Sequence, residues 1–161
     1  MSKIGLLLFL LLFSSSFSSA QSKEKTQTAF LKELNTILQN SKEYDWNYFM
    51  QEAETVKIEK PFAINNDILS VSINYKIGDS ITTITMEAPV NKIESVNYDH
   101  YLVLEFETEE VKNQQYTSNS VTIKTTTKQN YFHIGTPIKE GRKEREKLEK
   151  LLEKLLKYYT K

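Results

Sequence analysis

The two histidines are the residues of this sequence best suited to acid–base or metal chemistry. His100 lies in NYDHYL beside Asp99, and His133 lies in YFHIG near the end of an apolar run. A metal site would join both imidazoles to Asp99 or Glu105, since imidazole and carboxylate ligands suit zinc or iron. A general base would pair His133 with a serine such as Ser95. Neither spacing matches a known signature, so we predict a histidine in a turn and one on a solvated strand face.

Four glutamates near residue 107 offer a second kind of chemistry: Glu105, Glu107, Glu109 and Glu110. On a strand, Glu105 and Glu107 would share one face about 7 Å apart, a separation that suits inverting glycoside hydrolysis. Any strand with a polar face produces such pairs. We therefore favour a charged edge that discourages aggregation between strands.

An aromatic cluster provides the candidate binding residues, which are Tyr44, Trp46, Tyr48 and Phe49 in YDWNYFM. A solvent-facing patch of this kind would bind a sugar or a peptide. The competing interpretation is that the rings fill the gap between the first helix and the sheet. We favour this second interpretation, because aromatic side chains carry large buried areas.

Composition excludes several classes of activity. The chain has no cysteine, so it has neither a disulfide framework nor a zinc–thiolate site. It has four glycines, of which only Gly78, Gly135 and Gly141 follow the apolar start, too few and too scattered for a phosphate-binding loop or a nucleophile elbow. We predict no catalytic residues, no metal and no cofactor, and we favour a protein that is not an enzyme.

The first twenty residues have the order of a secretory signal. Lys3 precedes an apolar run from Ile4 to Phe13, and small residues follow up to Ala20. We predict cleavage after Ala20, which would leave residues 21–161 as one secreted or periplasmic domain without a transmembrane helix. Without Lys3 the remaining chain has 20 basic residues, from the total of 21, against 21 acidic residues. This balance argues against nucleic-acid binding, which requires a basic excess.

Two patterns of apolar residues define the elements that must position these side chains. The first is a helical stripe, whose members are Phe30, Leu31, Leu34, Ile37 and Leu38. Thr26 or Thr28 can cap the start of this helix, and Asn40–Ser41 is its predicted end. From about residue 55 the period changes to two, and about seven short strands follow. Gly78–Asp79 predicts a tight hairpin turn. The polar run VKNQQYTSNS (111–120) is predicted as the longest loop.

The C-terminal segment predicts a long amphipathic helix, whose apolar stripe is Leu148, Leu151, Leu152, Leu155, Leu156 and Tyr159. The stripe is wider than a coiled-coil seam, so we expect it to pack on the sheet within a monomer. The predicted fold is therefore α+β. It has an N-terminal helix, an antiparallel sheet or partly open barrel of about seven strands, and a C-terminal helix packed on it.

From residue 55 to 160 this element order resembles the pleckstrin-homology superfold, in which a C-terminal helix plugs a partly open barrel of two sheets. Members of that superfold often bind phosphoinositides through a basic loop between the first strands. The corresponding loops here, PFAINND and IGDS, are not basic, so the resemblance does not imply that function. The small size and the Ala20–Gln21 junction are also similar to those of uncharacterised secreted proteins of gram-negative bacteria.

Three functions remain open from the sequence. The leading hypothesis is a non-catalytic domain that binds an envelope protein or a peptide through a sheet face or edge. The second is a carrier that encloses a lipid or another apolar ligand in a half-open barrel. The third is a small hydrolase that uses His100 or His133 with the acidic strand.

Overall fold

The computed structural model describes residues 3–41, 55–99, 101–118, 123–134 and 141–159. Side chains are described from residue 21 onward, except those of Thr55, Asp99, Tyr101 and Ile123. The elements are α1 Lys3–Ser41, β1 Thr55–Asn65, β2 Ile68–Ile77, β3 Ser80–Pro89, β4 Ile93–Asp99, β5 Tyr101–Phe106, β6 Val111–Ser118, β7 Ile123–Gln129, β8 Tyr131–His133 and α2 Gly141–Leu156. A short 3-10 helix, Val90–Lys92, joins β3 to β4. The predicted α+β class is confirmed.

Helix α1 is continuous through the predicted cleavage position and ends at Ser41, where the sequence predicted its end. The prediction that Thr26 or Thr28 caps its start is wrong. Their hydroxyls donate to the carbonyls of Ser22 and Glu24, four residues earlier, each at 2.9 Å. Threonine can satisfy its hydroxyl in this way inside a helix, so its presence does not mark a terminus. Within the described residues from 21 onward, no helix is long and apolar enough to cross a membrane.

Both helices bury the apolar stripes that the sequence predicted. The fully buried members are Phe30, Leu34, Ile37 and Leu38 on α1 and Leu148, Leu152 and Leu155 on α2. Helix α2 packs against α1, β4 and β5, while α1 also contacts β1. At the start of α2 a Cβ on Gly141 would overlap the Tyr98 ring, so this close approach of helix to sheet requires glycine.

Two-residue turns connect the first three strands. Asn66 and Asp67 join β1 to β2, and both have positive φ values, 49° and 62°. A type I′ turn requires this geometry, and asparagine and aspartate tolerate it better than most residues. Gly78, with φ 56°, begins the turn between β2 and β3, which confirms the predicted hairpin at Gly78–Asp79.

The eight strands form two open antiparallel sheets. The larger sheet has the order β1-β2-β3-β6-β7, and the smaller one has the order β4-β5-β8. Rings from the two sheets meet in the core, where the centroids of Phe62 and Phe132 lie 5.8 Å apart. The two sheets are therefore held together by apolar packing at one end of the larger sheet.

The prediction of a long loop at residues 111–120 is wrong for most of that segment. Residues Val111–Ser118 form β6, which pairs with β3 on one side and with β7 on the other. After Val111, which is buried in the core, the side chains of β6 are polar on both faces except for Tyr116, so the segment shows no apolar alternation. Pairing with two neighbours, rather than burial of an apolar face, makes this segment a strand.

Candidate functional site

The predicted aromatic site, Tyr44, Trp46, Tyr48 and Phe49, lies outside the described residues, and so does His100. The backbone of Asp99 is described as the last residue of β4, but its side chain is not. The structure therefore gives side-chain positions for only some of the predicted site residues. The described members are His133, Ser95 and the glutamates that follow residue 104.

The face of the smaller sheet opposite the core carries a group of polar side chains. Glu105 occupies the middle strand, where its Oε2 accepts a hydrogen bond from Ser95 Oγ at 2.7 Å and its Oε1 accepts one from Asn97 Nδ2 at 2.9 Å. The bonds from Asn97 and Ser95 hold the pKa of Glu105 below its ordinary value. Glu105 is thus an ionised group that ties β5 to β4.

His133 lies on the same polar face. It pairs with Val103, which is two residues before Glu105 on β5, and its ring meets the Tyr131 ring edge-on with centroids 5.0 Å apart. Burial lowers the pKa of His133, so the imidazole is neutral near pH 7. The Ser95 hydroxyl donates its proton to Glu105, so it is not the donor to His133 that the predicted pairing of Ser95 with a general base requires.

The predicted carboxylate pair also takes a different arrangement. Strand β5 ends at Phe106, so Glu107 lies beyond it in the bend that leads to β6 and does not share a strand face with Glu105. Strand β5 is moreover the central strand of its sheet, so the prediction that this segment forms a charged edge is wrong. Among the described residues, no three histidine, aspartate or glutamate side chains are grouped as a metal site requires.

Two other clusters of ionisable side chains join elements of the fold. Asp67 Oδ1, in the turn between β1 and β2, accepts hydrogen bonds from Lys23 Nζ and Tyr159 OH, each at 3.0 Å. The Lys23 ammonium also lies 4.2 Å from the centroid of the Tyr159 ring. On the other side of α1, Glu33 Oε2 lies 2.6 Å from Lys147 Nζ on α2. These contacts fix both helices to each other and to the larger sheet.

One edge of the larger sheet is closed to further strands. Strand β1 has register shifts between Ile58 and Ala63, and Pro61 within that stretch offers no N–H group. The side chain of Asn35 on α1 bonds to both backbone groups of Phe62. Its Oδ1 accepts from the Phe62 N–H at 2.8 Å, and its Nδ2 donates to the Phe62 carbonyl at 3.0 Å. Bulges, proline and a covering helix are all devices that protect a sheet edge.

The opposite edge of the larger sheet is open in the described part of the chain. Strand β7 pairs with β6 over seven positions and has no described strand on its other side. Every side chain from Lys124 to Lys128 is exposed, on both faces of the strand. The strand has a regular register and contains no proline. In an antiparallel pair, alternate residues direct their N–H and C=O groups outward, so β7 presents a row of free backbone partners.

The core face of the larger sheet becomes mostly polar after β3, and hydrogen bonds between side chains support the strands there. Across the strands, Met86 pairs with Asn113 and Ile84 pairs with Gln115. Gln115 Nε2 donates to the Tyr75 hydroxyl at 2.9 Å, and the hydroxyls of Thr82 and Thr117 are hydrogen-bonded at 2.8 Å. These bonds hold the part of β6 that follows Val111, the residue of this strand that is buried in the apolar core.

The sequence does not predict this open edge, because β6 lacks apolar alternation and is predicted as a loop, which leaves the neighbours of β7 unassigned. The signal that could have found it is the high content of threonine in β7, since threonine favours strands on solvated surfaces.

Comparison with known proteins gives no further assignment of the chain. No family model matches it, no curated protein matches it, and no solved structure matches it. Any functional proposal therefore depends on the geometry of the described residues.

Proposed function

We propose that this protein is a non-catalytic binding domain that takes up an extended polypeptide segment as an additional strand at β7. The signal-like start of the chain supports a secreted or periplasmic location for this activity. In strand addition the ligand's backbone supplies the hydrogen bonds, and its alternate side chains supply the specificity.

The observation that carries the proposal is the difference between the two edges of the larger sheet. The β1 edge has irregular register, a proline and the Asn35 side chain bound to its backbone. The β7 edge is regular over seven positions, and its described side chains from Lys124 to Lys128 contact no covering element closely enough to be buried. A long open edge is a template for another strand unless the protein covers it.

The apolar faces of both sheets favour strand addition over a carrier function. The two helices and both sheets contribute to one cluster of buried apolar side chains, whose members include Phe62, Phe132 and Leu152. Apolar side chains of the protein itself therefore occupy the space between the sheets and the helices.

A displayed library of random nine-residue peptides tests the proposal directly. We expect selected peptides to shift the amide NMR signals of β7 and to slow exchange of its outward amides, while β1 is unchanged. The same peptides with every backbone nitrogen methylated keep their side chains but lose their donors, and we expect them not to bind.

Two proline variants provide the matched control on the protein. Of the neighbouring residues Thr125 and Thr126, one directs its N–H toward β6 and the other directs it outward. Proline at the outward position should abolish peptide binding and leave the urea midpoint nearly unchanged. A library that yields no binders, or binders that act on another surface or tolerate complete N-methylation, would overturn the proposal.

A further inference from the structure

Three lysines lie together on the outer face of the sheet at the β7 edge. Lys112 on β6 is directly opposite Lys128 on β7, and Lys124 lies four residues before Lys128 on the same face. One carboxylate lies beside this group, that of Glu87, whose Oε2 is 3.9 Å from Lys112 Nζ. Like charges directly opposite each other destabilise a sheet, so this arrangement has a cost within the isolated chain.

The β7 lysines have no acidic partner among the described residues. Both Lys124 and Lys128 are exposed, and neither forms an ion pair with a described residue. The positive charge therefore points into solvent beside the open row of backbone groups. Any strand that adds to β7 places its alternate side chains next to Lys124, Thr126 and Lys128.

A second copy of β7 fits this edge poorly. Antiparallel pairing with full overlap is centred on Thr126, and it sets Lys124 of each copy opposite Lys128 of the other. Two such contacts between like charges disfavour the pair. Lysines on an open edge thus exclude the same strand from another copy while leaving the edge available to a strand of opposite charge.

We propose that the strand bound at β7 is acidic, with two carboxylate side chains four residues apart that lie opposite Lys124 and Lys128. This inference rests on the proposed strand addition and adds the chemical class of its partner. The spacing of four follows because residues two apart share a face, and it is the same for parallel and antiparallel addition. Lys112 adds to the positive potential on that face.

Synthetic nine-residue peptides of alternating threonine and valine test the inference. The acidic probe has glutamates at its third and seventh positions, and the basic probe has lysines there. A control peptide is the acidic probe with its sixth and seventh residues exchanged. It keeps the composition and has glutamates at its third and sixth positions, so that only one of them can face the lysines. We expect the acidic probe to bind about 1.4- to 5-fold more tightly than the control, which lacks one of the two charge pairs, and to lose this advantage at high salt.

Charge reversal on the protein completes the test. The double variant Lys124→Glu with Lys128→Glu should prefer the basic probe. Its urea midpoint should not fall below that of the wild type, because both positions are exposed and the change at Lys128 removes the like-charge pair with Lys112. If all three peptides bind β7 equally, the acidic partner is refuted while strand addition stands. If none of them protects the β7 amides, both the acidic partner and strand addition at this edge are refuted.

Discussion

The side chain of Asn35 on α1 forms two hydrogen bonds with the backbone of Phe62, one to its N–H and one to its carbonyl. Phe62 lies in the irregular stretch of β1, where it has no pairing partner on β2. The amide group of Asn35 thus takes the place of a neighbouring strand. The two hydrogen bonds from Asn35 also fix the position of the Phe62 ring, which packs against Phe132 of the smaller sheet. One side chain therefore closes a sheet edge and supports the junction of the two sheets.

Asn35→Ala should lower the free energy of unfolding by about 1–3 kcal/mol, because it leaves two partly buried backbone groups of Phe62 without partners. Urea denaturation followed by circular dichroism measures the change. Thr36→Ala is the matched control, since the Thr36 hydroxyl is exposed and donates only within α1, to the Lys32 carbonyl. Equal midpoints for the two variants would contradict the role assigned to Asn35.

Leu152→Asp should prevent the domain from folding. Leu152 is 2 % exposed, in the cluster that joins α2 to the rest of the core. A carboxylate there would be buried without a partner, at a cost of about 4 kcal/mol or more, a large part of the 5–15 kcal/mol that typically stabilises a domain.

The measurement is the near-ultraviolet circular dichroism of the purified variant, which should lose the signal of packed aromatic rings. Lys150→Asp introduces the same side chain at an exposed position of the same helix and should remain folded. A folded Leu152→Asp variant that had lost only a binding partner would show that this stripe is an interaction surface.

The stability of the contact between α1 and α2 should depend on pH through Glu144. Burial, with hydrogen bonding to the neighbouring Glu33, raises the pKa of Glu144 above its ordinary value of 4.5. The folded chain therefore binds this proton more tightly than the unfolded chain does. The resulting stabilisation is fully present below pH 4.5 and is lost as pH rises through the folded-state pKa.

Glu144→Gln should be more stable than the wild type at pH 7 and equal to it well below pH 4.5, because the amide resembles the protonated acid. Urea midpoints measured across this range give the difference. Glu146→Gln removes the same charge from an exposed position of α2 and controls for the change in net charge. A pH-independent effect of Glu144→Gln would rule out the proposed proton uptake.

Much of the fold follows from local patterns in the sequence. The stripe from Phe30 to Leu38 and the stripe from Leu148 to Leu155 are buried, as their helical spacing predicts. The alternating apolar residues Leu102, Leu104 and Phe106 of β5 are also buried, as the period of a half-buried strand requires. These elements can be predicted from the sequence because each buries one face, so its apolar residues recur with the period of a helix or a strand.

The candidate site could not be found in the same way. Strand β6 was predicted as a loop because its polar residues carry no period, and the openness of β7 depends on which strands become its neighbours. The lysine pair Lys112 and Lys128 is formed by a register between strands that are separate in sequence. Sequence spacing contains no information on such a pair.

The sequence by itself determined the α+β class, both helical stripes, the hairpin at Gly78 and the exclusion of motif-based nucleotide and thiolate chemistry. The tertiary structure alone decided the division into two sheets, the protection of β1 by Asn35 and the exposure of β7. The physical reason is the range of the interactions. Burial of one face of an element produces a regular spacing of apolar residues along the sequence. Pairing between strands that are distant in sequence produces no such spacing and is fixed only when the chain is folded.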